Sequence, residues 1–316
     1  MGSIAYLVYL LGFKKAELLD QVKVFLSSNE LSISTLILII LLMIFNWGSE
    51  VYKWKLLASH MFPMSNGLAI KSTLAGVAAS VFTPYRIGAY FGKVALLRFR
   101  YRAKGIVLQM YNAMAMFIVN FFFGLLFLGL LGFKSTNEVI GLSSVSIGVI
   151  GMIGAFIVLI FWFLYVYVNF IAGLFEKLPY TKKWTKYWDM LSERGYKLTA
   201  SKILGLSILR YLGITYQYVL AYQLFGIQMN WWSAYFASGA LFFLFQFVPV
   251  FNAVELGLTR TTMFTVILTS FGIIDEITPQ LTLSITSASF LIWLINLAVP
   301  SVLGSLFLGA SEGVKS

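Results

Sequence analysis

The chain has 316 residues, of which 59% are hydrophobic and only 11% are charged, and its formal net charge is +11. Soluble globular domains carry about 25% charged residues, so a water-soluble protein of this size could not hide so much apolar surface. With no cysteine and a single histidine, the composition excludes disulfides and thiolate nucleophiles and argues against a transition-metal site. We expect neither a metal nor a cofactor.

Several apolar runs are long enough to cross the hydrocarbon of a membrane, which takes about 20 residues. They lie at 31–58, 105–132, 143–173, 203–226 and 281–309. Residues 4–13 are apolar but short, and the pattern favours residues 1–13 as all or part of a further first span. Residues 14–26 are typical of a short amphipathic helix at the interface.

Basic residues cluster in two short connections, at 98–104 and 177–202. Loops that carry excess lysine and arginine stay in the cytoplasm, so both clusters and the C-terminus are predicted to be cytoplasmic, in a cell inner membrane of bacterial type. Span 31–58 ends in Lys53 and Lys55 and is therefore predicted to finish inside. Residues 180–197 predict a basic interfacial helix. This distribution argues against nucleic-acid binding.

Two further apolar segments are interrupted. Residues 66–97 are broken at 83–86, and residues 232–274 are broken at 249–257. Each must begin and end on one side of the membrane, so each is predicted to be a re-entrant pair of half-helices inserted from opposite sides. The chain is thus predicted to be an all-α polytopic membrane protein, with about six spans plus two re-entrant broken-helix hairpins arranged as an inverted repeat. Its pseudo-repeats, 1–132 and 143–309, would form a single transmembrane domain.

Four charged residues fall at membrane depth: Glu50, Arg86, Glu255 and Arg260. A buried ionisable group costs about 2.5–3.5 kcal/mol even on the lenient insertion scale, so such groups pair, face a cavity or contact a polar substrate. The guanidinium groups suit bidentate phosphate contacts, and the two glutamates could neutralise them. In the alternative interpretation, each arginine pairs permanently with a glutamate and only pins a broken helix.

Neutral residues at the two breaks complete the predicted site. The additional headgroup contacts are predicted to be Thr83, Tyr85 and Asn252. The residues that break the helices are predicted to be Pro84, Gly88, Pro249 and Gly257. Gly88 and Gly92 form a GxxxG pattern that indicates close helix packing, and Lys93 could extend to the cytoplasmic surface.

Three stretches resemble the transmembrane region of lysylphosphatidylglycerol synthases and their standalone flippase-like relatives. They are 46–57 (NWGSEVYKWKLL), 83–93 (TPYRIGAYFGK) and 249–260 (PVFNAVELGLTR). The family pattern has an acid before a basic-aromatic helix end, a Thr-Pro-x-Arg-x-Gly-Glu element and a late Pro…Glu-Leu-Gly element. In one departure, Ala89 stands where the family has glutamate, so a family carboxylate is missing.

The resemblance covers the membrane half of the two-domain members, in which a cytoplasmic domain aminoacylates phosphatidylglycerol and the membrane region carries the product across. It implies a flippase that moves an anionic or zwitterionic (glyco)phospholipid between leaflets without aminoacyl transfer. Membrane lipids are the expected partners, with a homo-oligomer or a lipid-modifying enzyme as further candidates.

Three alternatives remain at this stage. The same broken-helix site could serve a secondary transporter of a small polar solute or ion, or a membrane-embedded transferase acting on a lipid-linked substrate. The chain could also be an accessory subunit. The usual motifs of metalloproteases, serine hydrolases and nucleotide-binding proteins are missing from the sequence, so we expect no enzyme.

Overall fold

The computed structural model describes residues 32–134, 144–168, 170, 173, 177, 194–248 and 257–308. Within these ranges every regular element is a helix. The helices are α1 (Ile33–Ala58), α2 (Asn66–Val81), α3 (Gly88–Ala95), α4 (Phe99–Lys134), α5 (Ser144–Val166), α6 (Arg194–Leu224), α7 (Trp231–Phe245), α8 (Leu258–Ser270), α9 (Pro279–Trp293) and α10 (Val299–Leu308). A π-helical segment, Leu294–Ala298, joins α9 to α10.

Four helices are long and apolar enough to cross a membrane: α1, α4, α6 and the continuous helix Pro279–Leu308. They coincide with four of the predicted spans, and α5 occupies the fifth. This agrees with a helical membrane-embedded protein. The predictions for residues 1–13 and 14–26 lie outside the described residues. So does the interfacial helix predicted at 180–197, except for its last four residues, which begin α6.

The outer and inner faces of α1 show the polarity of a helix in lipid. Ile33, Ile37, Leu41 and Ile44 recur at helical spacing along the outside and are 53–74% exposed. Polar side chains near the other end of the helix, including Glu50, are buried in the protein interior. An exposed apolar stripe with a charged inner face is the reverse of a soluble helix and fits a hydrocarbon solvent.

The first broken segment is a tight helical hairpin. After α2 ends, residues Pro84–Arg86 form a single 3-10 turn. Thr83 has an extended backbone, with φ −123° and ψ 138°, as expected before a proline. Tyr85 and Arg86 then take the left-handed conformation, with φ 51° and 58°. That is costly for residues with a Cβ, and such backbone strain concentrates at functional sites.

Glycines let the two arms of this hairpin touch. A Cβ placed on Gly88 would lie 2.1 Å from the carbonyl oxygen of Ala79, and one on Gly92 would lie 2.6 Å from that of Ala75. No larger residue fits either position without moving backbone. The GxxxG pattern thus lies at a close contact between α2 and α3, as its spacing indicates.

The second broken segment is described on both sides of its break. Helix α7 ends at Phe245, and α8 begins after Gly257, whose φ of +86° favours glycine. Residues 249–256 lie outside the described residues, and with them the predicted contributions of Pro249, Asn252 and Glu255.

The packing between helices is reciprocal. The two long helices α1 and α6 pack against each other, α7 of the second hairpin packs on α4, and α2 of the first hairpin packs on α10. Within each half, the hairpin arms contact each other and the neighbouring long helices: α2 with α3, α3 with α4, α7 with α8 and α8 with α9. Each hairpin is therefore covered by the final long helix of the other half.

Candidate functional site

A cavity of about 540 Å³ lies at the centre of the helices, within the range of about 300–1,000 Å³ that is typical of small-molecule sites. Its lining comes from α1, both arms of the first hairpin, α4, α6, the second hairpin and the last long helix. The charged residues that line it, among those described, are Glu50, Lys53, Arg86, Lys93, Arg210 and Arg260. Five cations and one carboxylate therefore share a single interior space.

Glu50 is the centre of this cluster. Its Oε1 lies 2.6 Å from Lys93 Nζ, and its Oε2 lies 3.1 Å from Lys53 Nζ. Arg210 donates through Nη1 to Oε2 as well, and Asn112 donates to Oε1 at 2.9 Å. One carboxylate, about 6% exposed, thus holds three cations from α1, α3 and α6 and ties these helices together.

The two lysines have further oxygen partners. Lys53 Nζ donates to Ser207 Oγ at 3.2 Å, and Lys93 Nζ donates to Gln109 Oε1 at 3.0 Å. Both lysines are almost completely buried. A buried ion pair is tolerated when additional hydrogen bonds satisfy the remaining protons, and these contacts supply them.

A chain of neutral hydrogen bonds continues from the ionic cluster. Arg210 Nε donates to Asn46 Oδ1 at 2.6 Å, and Asn46 donates to Asn296 at 3.3 Å. Asn296 in turn donates to Gln217 Oε1 at 2.9 Å. Helices α1 and α6 and the last long helix are joined by polar contacts at one level of the bundle.

Asn296 lies in the π-helical segment that precedes Pro300. Pro300 lacks the N–H that would bond the carbonyl of residue 296 and displaces the helix there. The carbonyl oxygen of Asn296 accepts a hydrogen bond from Trp47 Nε1 at 3.2 Å. The proline therefore creates an acceptor beside the cavity.

Two more arginines reach the cavity from the broken segments. Arg86 lies in the left-handed turn of the first broken segment, and its exposed side chain lines the cavity. The positive charges of Arg210 and Arg260 repel it, and the carboxylate of Glu50 attracts it. Arg260, in the first turn of α8, lies over the ring of Phe245 with 4.7 Å between guanidinium carbon and ring centroid. A helix N-terminus adds partial positive charge at this point.

Four of the predicted site residues, Glu50, Arg86, Arg260 and Tyr85, line this cavity. Thr83 has another role: its Oγ1 accepts a hydrogen bond from Gly88 N at 2.7 Å and donates to Ser80 O at 3.3 Å. It therefore links the end of α2 to the start of α3.

The ion pairs of Glu50 differ from those expected. Glu50 was predicted to neutralise an arginine at a break and does attract Arg86, but its three ion pairs within the described chain are with Lys53, Lys93 and Arg210. Glu255, the other predicted carboxylate, lies outside the described residues. Lys93 does not extend to a membrane surface, since it is 3% exposed and bonded to Glu50. Lys53, used above as a mark of the cytoplasmic end of a span, is also buried.

Sequence reasoning missed Arg210. It lies in the middle of the apolar run 203–226, and a charge at that depth is itself a signal of function. Glu50 and Lys53 are three residues apart on one helix and therefore share a helix face. This spacing could have predicted their ion pair.

Comparison of the chain with protein-family models, with curated proteins and with solved structures finds no match.

Proposed function

We propose that the chain is a flippase-like membrane protein that moves an anionic or zwitterionic (glyco)phospholipid between leaflets. The observation that carries this proposal is the cavity, in which cations outnumber carboxylates five to one among the described residues. A phosphate group that enters a low-dielectric interior must replace its hydration. Guanidinium and ammonium groups are strong donors to phosphate oxygens and can do so.

The reciprocal packing supports an inverted repeat. Exchanging α1 with α6, α2 with α7, α3 with α8 and α4 with the last long helix turns the packing pairs among these helices into observed pairs. The contact between α4 and α5 has no counterpart among the described helices. In transporters built this way, the substrate site lies near the membrane midplane between broken helices. Arg86 and Arg260, one from each broken segment, both line the cavity, which agrees with such a repeat.

The lengths of the hairpin arms support their re-entrant character. At 1.5 Å per residue, α2 with 16 residues is about 24 Å long and α3 with eight is about 12 Å long. Neither crosses a hydrocarbon core of about 30 Å alone. We propose that they insert from the cytoplasmic side and that α7 and α8 insert from the opposite side, with the basic loops cytoplasmic.

The resemblance to the membrane region of lysylphosphatidylglycerol synthases remains part of this proposal. Ala89, which stands where the family has glutamate, lines the cavity. A glutamate there would add a second negative charge beside Glu50. With alanine, the cavity is more cationic than the family pattern implies.

A small anionic solute is the second candidate substrate, favoured by the volume of the cavity. A space of about 540 Å³ is large enough for a small solute, whereas a phospholipid could place only its headgroup there and would leave its acyl chains among the helices or in the bilayer. Uptake of labelled solutes and translocation of labelled lipids, measured in the same proteoliposomes, distinguish the two.

The test is leaflet translocation by arginine variants. In proteoliposomes with a fluorescent phosphatidylglycerol in one leaflet, Arg86→Ala and Arg260→Ala should abolish translocation, and lysine in either position should restore only part of it. Arg98→Ala, a change of an exposed arginine outside the cavity lining, is the matched control and should translocate at the wild-type rate.

The melting temperature separates transport from structural roles. If the arginines only pin the broken helices, the alanine variants should lose stability together with activity. A folded alanine variant that translocates lipid at the wild-type rate removes that arginine from the mechanism. Wild-type protein that moves no labelled lipid in a folded, reconstituted state overturns the proposed function.

A further inference from the structure

We infer that the cavity selects a phosphate group with two or more negative charges, a phosphomonoester or a diphosphate, over a phosphodiester or a zwitterionic headgroup. This inference rests on the proposed function, since it names the substrate class of the same site. It narrows the range of headgroups that the family resemblance allows.

The charge balance of the cavity is the first step. When Arg260 is left out of the count, the described lining holds one carboxylate, Glu50, and four cations, Lys53, Lys93, Arg86 and Arg210. Among the described residues, four cations and one carboxylate leave three positive charges. A phosphodiester brings one negative charge, whereas a phosphomonoester brings about 1.5–2 at neutral pH. A zwitterionic headgroup brings no net charge, and its ammonium would meet a cationic wall.

The accessibility of the cations is the second step. Lys53 is fully buried and Lys93 nearly so, and both are bonded to Glu50 and to a neutral oxygen. Arg210 keeps 13% of its side chain exposed, and Arg86 is exposed in the same cavity. The lysines therefore have their bonds within the protein, whereas Arg86 and the exposed part of Arg210 can reach a ligand in the cavity.

The arrangement of these guanidinium groups favours a multiply charged ligand. Arg86 and Arg210 repel each other across the cavity. Arg210 uses Nε and Nη1 for Asn46 and Glu50, but a guanidinium has five donors, so Nη2 is left for a ligand oxygen. A phosphate with two anionic oxygens can bond one guanidinium with each and relieve the repulsion, whereas a single charge can offset only part of it.

Polar atoms beside the arginines point independently to a ligand. In the described part of the chain, Asn112 Oδ1, Asn120 Oδ1 and Gln246 Nε2 are buried and have no hydrogen-bond partner, and all three residues line the cavity. Buried polar atoms are normally satisfied. Two acceptors and one donor are suited to hydroxyl groups of a headgroup or to a protonated phosphate oxygen.

The experiment compares matched phosphate esters. The full chain is placed in nanodiscs of phosphatidylcholine, and binding of phosphatidic acid, a monoester, is measured against phosphatidylglycerol, a diester, at pH 7.5. Soluble pyrophosphate and dimethyl phosphate form a second matched pair. In each pair the ligand with more charge should bind about tenfold more tightly or better. Lowering the pH to 5.5 should reduce the advantage of phosphatidic acid, because the second pKa of a phosphomonoester is about 6.

Two variants connect the preference to the proposed residues. Arg86→Gln, which keeps the three ion pairs of Glu50, should reduce the monoester advantage to about threefold or less. Arg98→Gln should retain it. Equal affinity for monoester and diester in the wild type overturns the inference, as does an unchanged preference in a folded Arg86→Gln variant.

The outcomes distinguish a lipid headgroup from a free phosphate, and they distinguish failure of the lipid function from failure of the charge selection. Binding of phosphatidic acid and pyrophosphate together supports a lipid phosphate headgroup. If pyrophosphate binds selectively but phosphatidic acid neither binds nor moves between leaflets, the charge selection stands and the lipid function fails. If phosphatidylglycerol is translocated with no preference for a second charge, the function stands and this inference fails.

Discussion

Replacing Glu50 with glutamine should destabilise the protein more than any other single charge-neutralising change in the described chain. The amide has nearly the same shape but no charge, so Lys53, Lys93 and Arg210 lose their shared counter-charge. At an effective dielectric constant of about 20, separations of 2.6 and 3.1 Å correspond to gross attractions of about 6 and 5 kcal/mol. Desolvation offsets much of that attraction, and removing one partner of a buried pair costs about 3–5 kcal/mol.

The melting temperature of the detergent-solubilised protein measures this effect. We expect Glu50→Gln to lower Tm by an amount on the order of 10 °C, while Glu276→Gln, a change of an exposed carboxylate, leaves it nearly unchanged. Adding Lys53→Met to Glu50→Gln should recover part of the loss, because it removes one of the orphaned cations. A Glu50→Gln protein that melts within about 2 °C of wild type, by the same scaling, would refute the view that this carboxylate holds the three helices together.

Other contacts give smaller and more local predictions. Gly88→Val should destabilise the first hairpin by about 1–3 kcal/mol, because its Cβ would meet the carbonyl of Ala79, and Gly67→Val, in open space, should not; thermal melting compares the two. Trp47→Phe should destabilise the protein by about 1–3 kcal/mol, because the carbonyl oxygen of Asn296 loses the hydrogen bond from Trp47 Nε1. A melting temperature equal to that of wild type would contradict this. Thr83→Val should destabilise the protein by about 1 kcal/mol and slow translocation, because the turn that carries Arg86 loses the hydrogen bond between Thr83 Oγ1 and Gly88 N. A translocation rate equal to that of wild type would show that this bond does not position Arg86.

The parts of the fold that could be predicted from sequence are those set by local chemistry. A hydrocarbon core demands about 20 apolar residues per span, so α1 could be placed within two residues and the ends of α4 and α6 likewise. The starts of α4 and α6, at Phe99 and Arg194, precede the predicted spans because polar residues extend both helices. A proline removes a donor wherever it occurs, which places the first break at 83–86. Residues 46–57 and 83–93 could likewise be marked as the sources of site residues.

The partners of those residues could not be predicted. Glu50 and Arg210 are 160 positions apart, and nothing in either segment specifies that α1 packs against α6. The meaning of a lysine near a helix end is also ambiguous in sequence. Lys53 and Lys55 are neighbours, yet Lys55 bonds the start of α2 at the protein surface, while Lys53 is buried beside the cavity. Helix rotation, which only packing determines, decides between the two.

The reciprocal packing also has a consequence for how the protein is made. Helix α2 approaches α10 so closely that a Cβ on Gly304 would lie 1.9 Å from the carbonyl oxygen of Leu74. Those two residues are 230 positions apart, since 304 − 74 = 230. At synthesis rates of about 5–20 residues per second, α2 must wait roughly 10–50 s for its partner.

During that interval the α10-facing surface of α2 is without its final partner. Ser72 and Thr73 on this helix are fully buried in the finished protein, Thr73 beside the cavity, and their hydroxyl groups would be costly in bare lipid before the bundle closes. We therefore expect the first hairpin to remain at the water boundary, or within the insertion machinery, until the last long helix arrives. Membrane integration of this chain would then be completed from its C-terminal helix back to its first hairpin.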